Sequence, residues 1–209
     1  MNSLGVTSNK AKVGALLAYL CYRMPNVQLR KLLKVLYLID EASVRSRAIP
    51  MTWLDYYVWE KGPVAPEVYQ IKNKAFSDYV TCHLENDDKW HVSSVKQEPY
   101  LIEKDMRLVS QWEQELIDKV IEKCKDKSAD TLTDESHTAD SLWSKIVEEH
   151  NIDFSKGSQT DYLIDLNLLN GDNEVAKDKY QDAKECMQMQ ALLNGFNSCS
   201  APVKLYMVL

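Results

Sequence analysis

Histidines and cysteines are the first residues to weigh for chemistry. They are His83, His91, His137 and His150, with Cys21, Cys82, Cys124, Cys186 and Cys199. Cys82-His83 and His91 fall on the two arms of an expected β-hairpin, where they can approach each other and begin a metal site. Zinc takes three or four ligands, and no further pair stands at ligand spacing. No CxxC occurs, so the usual zinc and redox signatures are missing. The sequence therefore calls for no metal and no cofactor. A nucleophilic cysteine needs a base held beside it. Cys21 and Cys124 fall instead on apolar helix faces, where a thiol packs as a small hydrophobe. The odd count and wide spacing point to free thiols in a reducing compartment. The carboxylate pairs Asp87/Asp88, Asp134/Glu135 and Glu148/Glu149 read as solvated surface, because adjacent residues on a helix do not face each other and a polar turn is open to water. The six glycines form no phosphate-binding loop. One acid stands apart. The stripe Leu29, Leu32, Leu33 and Leu36, continued by one turn, reaches Asp40, and a carboxylate on a core face must be partnered.

The elements that position these residues come next. A chain of 209 residues is long enough for one sizeable domain, and 45% hydrophobic content is too high for a disordered one. No stretch approaches the roughly 20 apolar residues that span a bilayer. Residues 1–12 lack the apolar core of a signal peptide, so a soluble, cytoplasmic protein with no membrane partner is expected. Charge is uneven. Residues 1–50 carry eight Lys/Arg against two Asp/Glu, and the rest carry 17 against 29. The basic first helices and acidic later ones suggest an interaction surface.

The spacing predicts a helix over 10–23, capped by Ser8 or Asn9 and stopped by Pro25. A second follows over 27–46. The aromatic run Trp53-Leu-Asp-Tyr-Tyr-Val-Trp59 predicts an extended segment over 53–60. Gly62-Pro63 then turns the chain, and Pro66 opens a short helix ending near Lys74. Residues 79–97 form a hairpin around the polar turn 86–89, with an edge piece at 100–102. A long helix is predicted over 105–125, with Val109, Trp112, Leu116, Val120 and Cys124 inward. Short helices follow at 129–135 and 139–150, then an ambiguous stretch 151–171, a last helix over 173–194 and an apolar tail 203–209. The fold class is α+β and mostly α-helical: a bundle-like core with a small antiparallel insertion. Residues 1–150 form the main domain, and 151–209 a helical extension packed on it.

Three blocks carry a resemblance. Lys31-Leu-Leu-Lys-Val-Leu-Tyr-Leu-Ile-Asp40 precedes Ile49-Pro-Met-Thr52, and then comes Lys61-Gly-Pro-Val-Ala-Pro-Glu-Val-Tyr69. These are similar to the SocA-like or Panacea family of antitoxins. A later segment, Leu132-Thr-Asp-Glu-Ser-His137 with Trp143, resembles the same family, with Ser136 in place of its threonine and a longer gap to the tryptophan. The resemblance implies a mostly helical domain of a prokaryotic or phage toxin–antitoxin system. Such a domain binds a cognate toxin, usually encoded beside it, carries no catalytic residues, and in some relatives delivers the toxin to a protease. Asp40, Gly62, Pro63, Tyr69, His137 and Trp143 match motif positions. Asp40 and His137 are assigned to one buried polar network.

The leading expectation is an antitoxin-type binding module and not an enzyme. On a strand, Trp53, Asp55, Tyr57 and Trp59 share one side. An exposed aromatic face is a typical binding anchor, so Trp53, Tyr57 and Trp59 are the candidate anchors, with Lys61 at the rim. The acidic stretch 103–153 is expected to complement a basic toxin. Two other classes compete. A small hydrolase would need Asp40 and His137 together at an open cleft. A DNA-binding regulator would use Arg30, Lys31 and Lys34, with Arg45 and Arg47, on phosphates. Homo-oligomerisation is left open.

Overall fold

In the computed structural model, which describes residues 4–199, the first two apolar stripes become the two central helices. Helix α1 (Lys10–Arg23) starts where the Asn9 side chain accepts the Lys12 N–H, and is buried along Val13–Cys21. A turn at Pro25-Asn26, with Asn26 in the left-handed region, leads to strand β1 (Val27–Gln28) and helix α2 (Leu29–Arg47). Helix α2 is the hub. It packs against segments from nearly every later part of the chain.

Strands β2 (Tyr56–Trp59) and β3 (Gly62–Val64) pair antiparallel with Trp59 opposite Gly62. The turn is therefore Glu60-Lys61, not the expected Gly62-Pro63. Pro63 instead occupies the edge strand, where its missing N–H breaks no ladder. Helix α3 (Pro66–Tyr69) opens with proline at its first turn and tightens into a 3-10 turn, Gln70–Asn73. Strands β4 (Val80–Leu84) and β5 (Trp90–Ser94) form the expected hairpin, and β1 adds to β5.

Residues 100–102 are helical, not an edge strand. Pro99 starts helix α4 (Pro99–Asp105), followed by a 3-10 turn, Met106–Leu108. The single long helix expected over 105–125 is thus broken. Ser110 caps a fresh start through a reciprocal box with Glu113, giving helix α5 (Gln111–Cys124). That restart sets the buried face to Glu113, Ile117, Val120, Ile121 and Cys124. Trp112, expected inside, is 41% exposed.

Helices α6 (Ala129–Ser136) and α7 (Leu142–Glu149) are each capped by a serine, Ser128 and Ser141. The ambiguous stretch resolves into a 3-10 turn (Phe154–Lys156), strand β6 (Leu163–Ile164) and a second 3-10 turn (Leu166–Asn170). Strand β6 pairs with β2, making a second three-stranded sheet in the order β3-β2-β6. Helix α8 (Glu174–Cys199) closes the described chain. Ile164, Leu166 and Tyr180 join the same core as α1 and α2. The apolar tail 203–209 lies outside the described residues. Cys21, Cys82, Cys124 and Cys186 are free thiols, and burial pushes the Cys21 thiol up to about 12.

The fold also accounts for the uneven charge. Lys12 and Arg47 both reach Glu113 at 2.8 Å, Arg23 binds Asp118 and Glu122, and Arg30 binds Asp130 at 2.5 Å. The basic first helices are matched by acids of the later ones within the same chain.

Candidate functional site

The site is built around the β2–β3 hairpin, which two buried polar clusters hold from opposite ends. The first is centred on Asp40, fully buried on α2. Its Oδ1 accepts the backbone N–H of Met51 at 2.7 Å and of Thr52 at 2.8 Å. Its Oδ2 accepts the Thr52 hydroxyl and, at 2.8 Å, the Tyr56 hydroxyl. Burial raises the Asp40 pKa against these hydrogen bonds, which favour the charged form. A carboxylate that fills both oxygens in this way fixes the path of residues 51–56 into β2.

The second cluster lies about 9 Å along the α2 axis, six residues earlier at 1.5 Å each. Lys34 is 2% exposed and donates its ammonium to the Lys61 carbonyl at the hairpin turn. Burial, with Arg30 nearby, pulls its pKa down to about 7. Gly62 makes this approach feasible. It sits at φ +101°, and a Cβ there would lie 1.9 Å from the Lys34 Nζ and 2.7 Å from the Ser136 Oγ. The Trp143 indole donates to the Trp59 carbonyl at 2.8 Å. His137 stacks on Trp143 with ring centroids 3.7 Å apart, and burial, helped by Lys34, lowers its pKa.

Asp40 and His137 therefore belong to two clusters, not to one network. Each is assigned by its own neighbours: Met51, Thr52 and Tyr56 for Asp40, Trp143 and Lys34 for His137. The open cleft that a hydrolase would need between them is not formed, because Asp40 is sealed in the core with both oxygens occupied.

Beside the turn of the β2–β3 hairpin lies a groove of about 410 Å³. Leu29, Leu33 and Val64 form its apolar floor, and Trp59, Tyr69 and Trp90 its walls. Arg30, Lys61, Lys72 and Lys89 line it against one acid, Glu60. Trp59 meets Tyr69 edge-on at 5.0 Å. The Lys72 ammonium lies 4.2 Å from the Tyr69 ring centroid and donates to its hydroxyl at 2.7 Å. It is also 5.4 Å from the Trp90 ring. An aromatic wall with cations at its rim suits a ligand that combines an apolar side chain with negative charge.

The expected aromatic face is only partly presented. Trp53 is 8% exposed, takes a left-handed backbone at φ 57°, and packs on Tyr180 of α8 at 5.1 Å. Tyr57 is buried in the centre of its sheet, between Val64 and Leu163. The alternation expected over 53–60 fails because the strand begins only at Tyr56 and is covered on both sides. Trp59, half-buried, and Lys61, exposed, do reach the groove. Tyr69, expected as a motif position, becomes a wall of it. Lys72, Lys89 and Trp90 had no signal of their own, since only the tertiary fold brings the second hairpin against the first.

The cations read as a phosphate-binding face are engaged within the chain. Arg30 binds Asp130, Lys31 donates to the Lys125 carbonyl at 2.7 Å, and Lys34 is buried. Arg45 pairs with Glu41, and Arg47 with Glu113.

The fold is a mostly helical α+β domain with an aromatic, cation-lined groove between its two hairpins. The chain belongs to the SocA-like antitoxin, Panacea domain family, which matches residues 32–144. That span runs from α2 to α7 and contains Asp40, Lys34, the β2–β3 hairpin, Tyr69, His137 and Trp143. Membership supports an antitoxin-type role, with a toxin as the general class of partner. No curated protein and no solved structure matches the chain. Among the described residues, no helix is long and apolar enough to cross a membrane.

Proposed function

We propose that this chain neutralises a cognate toxin by direct complex formation, and that a segment of the toxin seats in the groove between the β2–β3 and β4–β5 hairpins. The observation that carries this reading is the groove itself: Trp59, Tyr69 and Trp90 around an apolar floor, with Lys61, Lys72 and Lys89 at the rim. Lys34, Trp143 and Asp40 hold the first hairpin, and Trp59 with it, in place. A preorganised wall avoids the ordering cost of binding. The rim favours a segment that bears carboxylates beside an apolar or aromatic anchor. The acidic helices, by contrast, already spend much of their charge on α1 and α2.

The test is co-purification of the full chain with the product of the neighbouring gene, paired with a growth-rescue assay. Lys61→Glu with Lys72→Glu reverses two rim charges on partly or fully exposed side chains. The pair is expected to weaken the complex at least tenfold and to abolish rescue. Full rescue by that variant would move the interface elsewhere. Delivery of the toxin to a protease is the second reading within this class, and toxin levels that fall only when both the chain and an ATP-dependent protease are present would favour it.

A further inference from the structure

The β4–β5 hairpin carries a second constellation, at its turn, that takes no part in the groove's aromatic contacts. His91 on β5 is 8% exposed. Its Nδ1 lies 2.9 Å from the Asn26 carbonyl, so Nδ1 carries the proton and donates. The Nε2 atom is buried and has no hydrogen-bond partner. It points at two carboxylates, with Glu85 Oε2 at 3.6 Å and Asp87 Oδ1 at 3.7 Å. These distances are too long for hydrogen bonds. A buried ring nitrogen aimed at two carboxylate oxygens, with a hydrogen bond to neither, calls for a cation between them, and three converging donors suit a metal ion.

The spacing suits such a cation. Donors about 2.1 Å from a tetrahedral zinc stand about 3.4 Å apart. The three donor atoms here all lie within 4.8 Å of one another. The supporting contacts of a metal site are also in place. The Asn26 carbonyl fixes the His91 tautomer, and the Asn26 amide donates to Glu85 Oε1 at 2.7 Å. A further nitrogen stands near, since His83 pairs across the strands with His91 and its Nε2 lies 3.3 Å from Glu85 Oε1. One nearby group competes: Lys89 Nζ sits 3.2 Å from Asp87 Oδ2.

We propose that Glu85, Asp87 and His91 form a binding site for a divalent transition-metal ion of the zinc type. One imidazole with two carboxylates suits zinc better than magnesium or calcium, which favour all-oxygen sets. Of the pairing expected from the sequence, Cys82-His83 with His91, only His91 is a ligand here; Glu85 and Asp87 come from the turn. A bound ion would rivet the hairpin turn to the α1–α2 connection through Asn26. By drawing on Asp87 it would also release Lys89, which lines the groove. The site stands independently of the toxin-binding reading.

The test is isothermal titration of the chelator-stripped full chain with zinc chloride, with magnesium chloride as the control. One zinc per chain is expected, with no magnesium binding. Glu85→Gln changes a half-buried residue and Asp87→Asn an exposed one, and each is expected to weaken zinc binding at least tenfold. His91→Gln should abolish it. The His91 ring resonances should shift on zinc addition while those of His150 stay in place, a readout that needs no variant to fold. Absence of zinc binding overturns the site. Equal affinity in all three variants, or an unmoved His91, overturns it too by placing the ion on other ligands.

Discussion

Replacing Gly62 by alanine tests how the β2–β3 hairpin is seated. The added Cβ would meet the Lys34 ammonium at 1.9 Å and the Ser136 hydroxyl at 2.7 Å, at a backbone φ of +101°. Two separable penalties follow. A side chain in the left-handed region costs about 1–2 kcal/mol. Driving Lys34 off the Lys61 carbonyl leaves a buried donor and acceptor unmatched, about 1–3 kcal/mol more. The sum, about 2–5 kcal/mol, is a large part of a typical stability of roughly 5–15 kcal/mol. Urea unfolding followed by tryptophan fluorescence measures it. With a slope of about 2 kcal/mol per molar, the midpoint should fall by about 1–2.5 M. The Lys34→Ala background separates the two penalties. With the ammonium gone, only the backbone part should remain, so the cost of Gly62→Ala drops to about 1–2 kcal/mol. A midpoint unchanged in the single variant would refute the reasoning. So would strict additivity of the two substitutions within about 0.5 kcal/mol, since that would mean Gly62 and Lys34 do not touch.

Three further outcomes follow from the buried charges. Lys34 has a folded pKa of about 7 against 10.5 in the ordinary state, so unfolding takes up a proton between those values and stability rises with pH across that window. Lys34→Met should remove this rise, up to about 4 kcal/mol, when urea midpoints are measured from pH 6 to pH 10. Glu113 shows the opposite sign. Burial pushes its pKa up, but hydrogen bonds from Lys12, the Ser110 N–H and Arg47 outweigh that and hold it at about 2. Its contribution is present above about pH 4.5 and is lost as pH falls towards 2, so Glu113→Gln should flatten the acid limb by about 3 kcal/mol. Asp40→Ala strands the Met51 and Thr52 amides without an acceptor and should cost at least about 2–6 kcal/mol. Asp40→Asn keeps an oxygen for both amides and should cost less; equal losses in thermal melts would contradict the role given to that oxygen.

Much of this fold could be read from periodicity and end signals. Helix α1 begins and ends where Asn9 and Pro25 place it, and Pro66 opens α3 as its fixed φ requires. Asp40 was legible as an inward carboxylate from the α2 stripe alone. The errors share a cause. At Ser110 a capping box breaks one apparent helix into two, and the buried face rotates from Trp112 to Ile117 and Ile121. At Trp53 a left-handed residue delays the strand, and packing on Tyr180 covers a ring that alternation alone would leave outside. Aromatic alternation says which residues share a side, not whether a helix far along the chain covers it. The groove was legible only in fragments, Trp59 and Lys61 on one hairpin and Tyr69 in a motif. Trp90 and Lys89 reach it through strand pairing between β1 and β5, and Lys72 from the 3-10 turn after α3, which no local pattern reports.

The groove as the toxin-binding surface is open to a direct test. The most direct measurement is the affinity of the purified chain for its neighbouring gene product, by titration calorimetry at two salt concentrations, for the wild type and for Lys61→Glu with Lys72→Glu. The predicted result is a loss of at least tenfold in a double variant that still melts cooperatively, and a weaker wild-type complex at high salt. Wild-type affinity in a folded double variant, with no salt dependence, would contradict it.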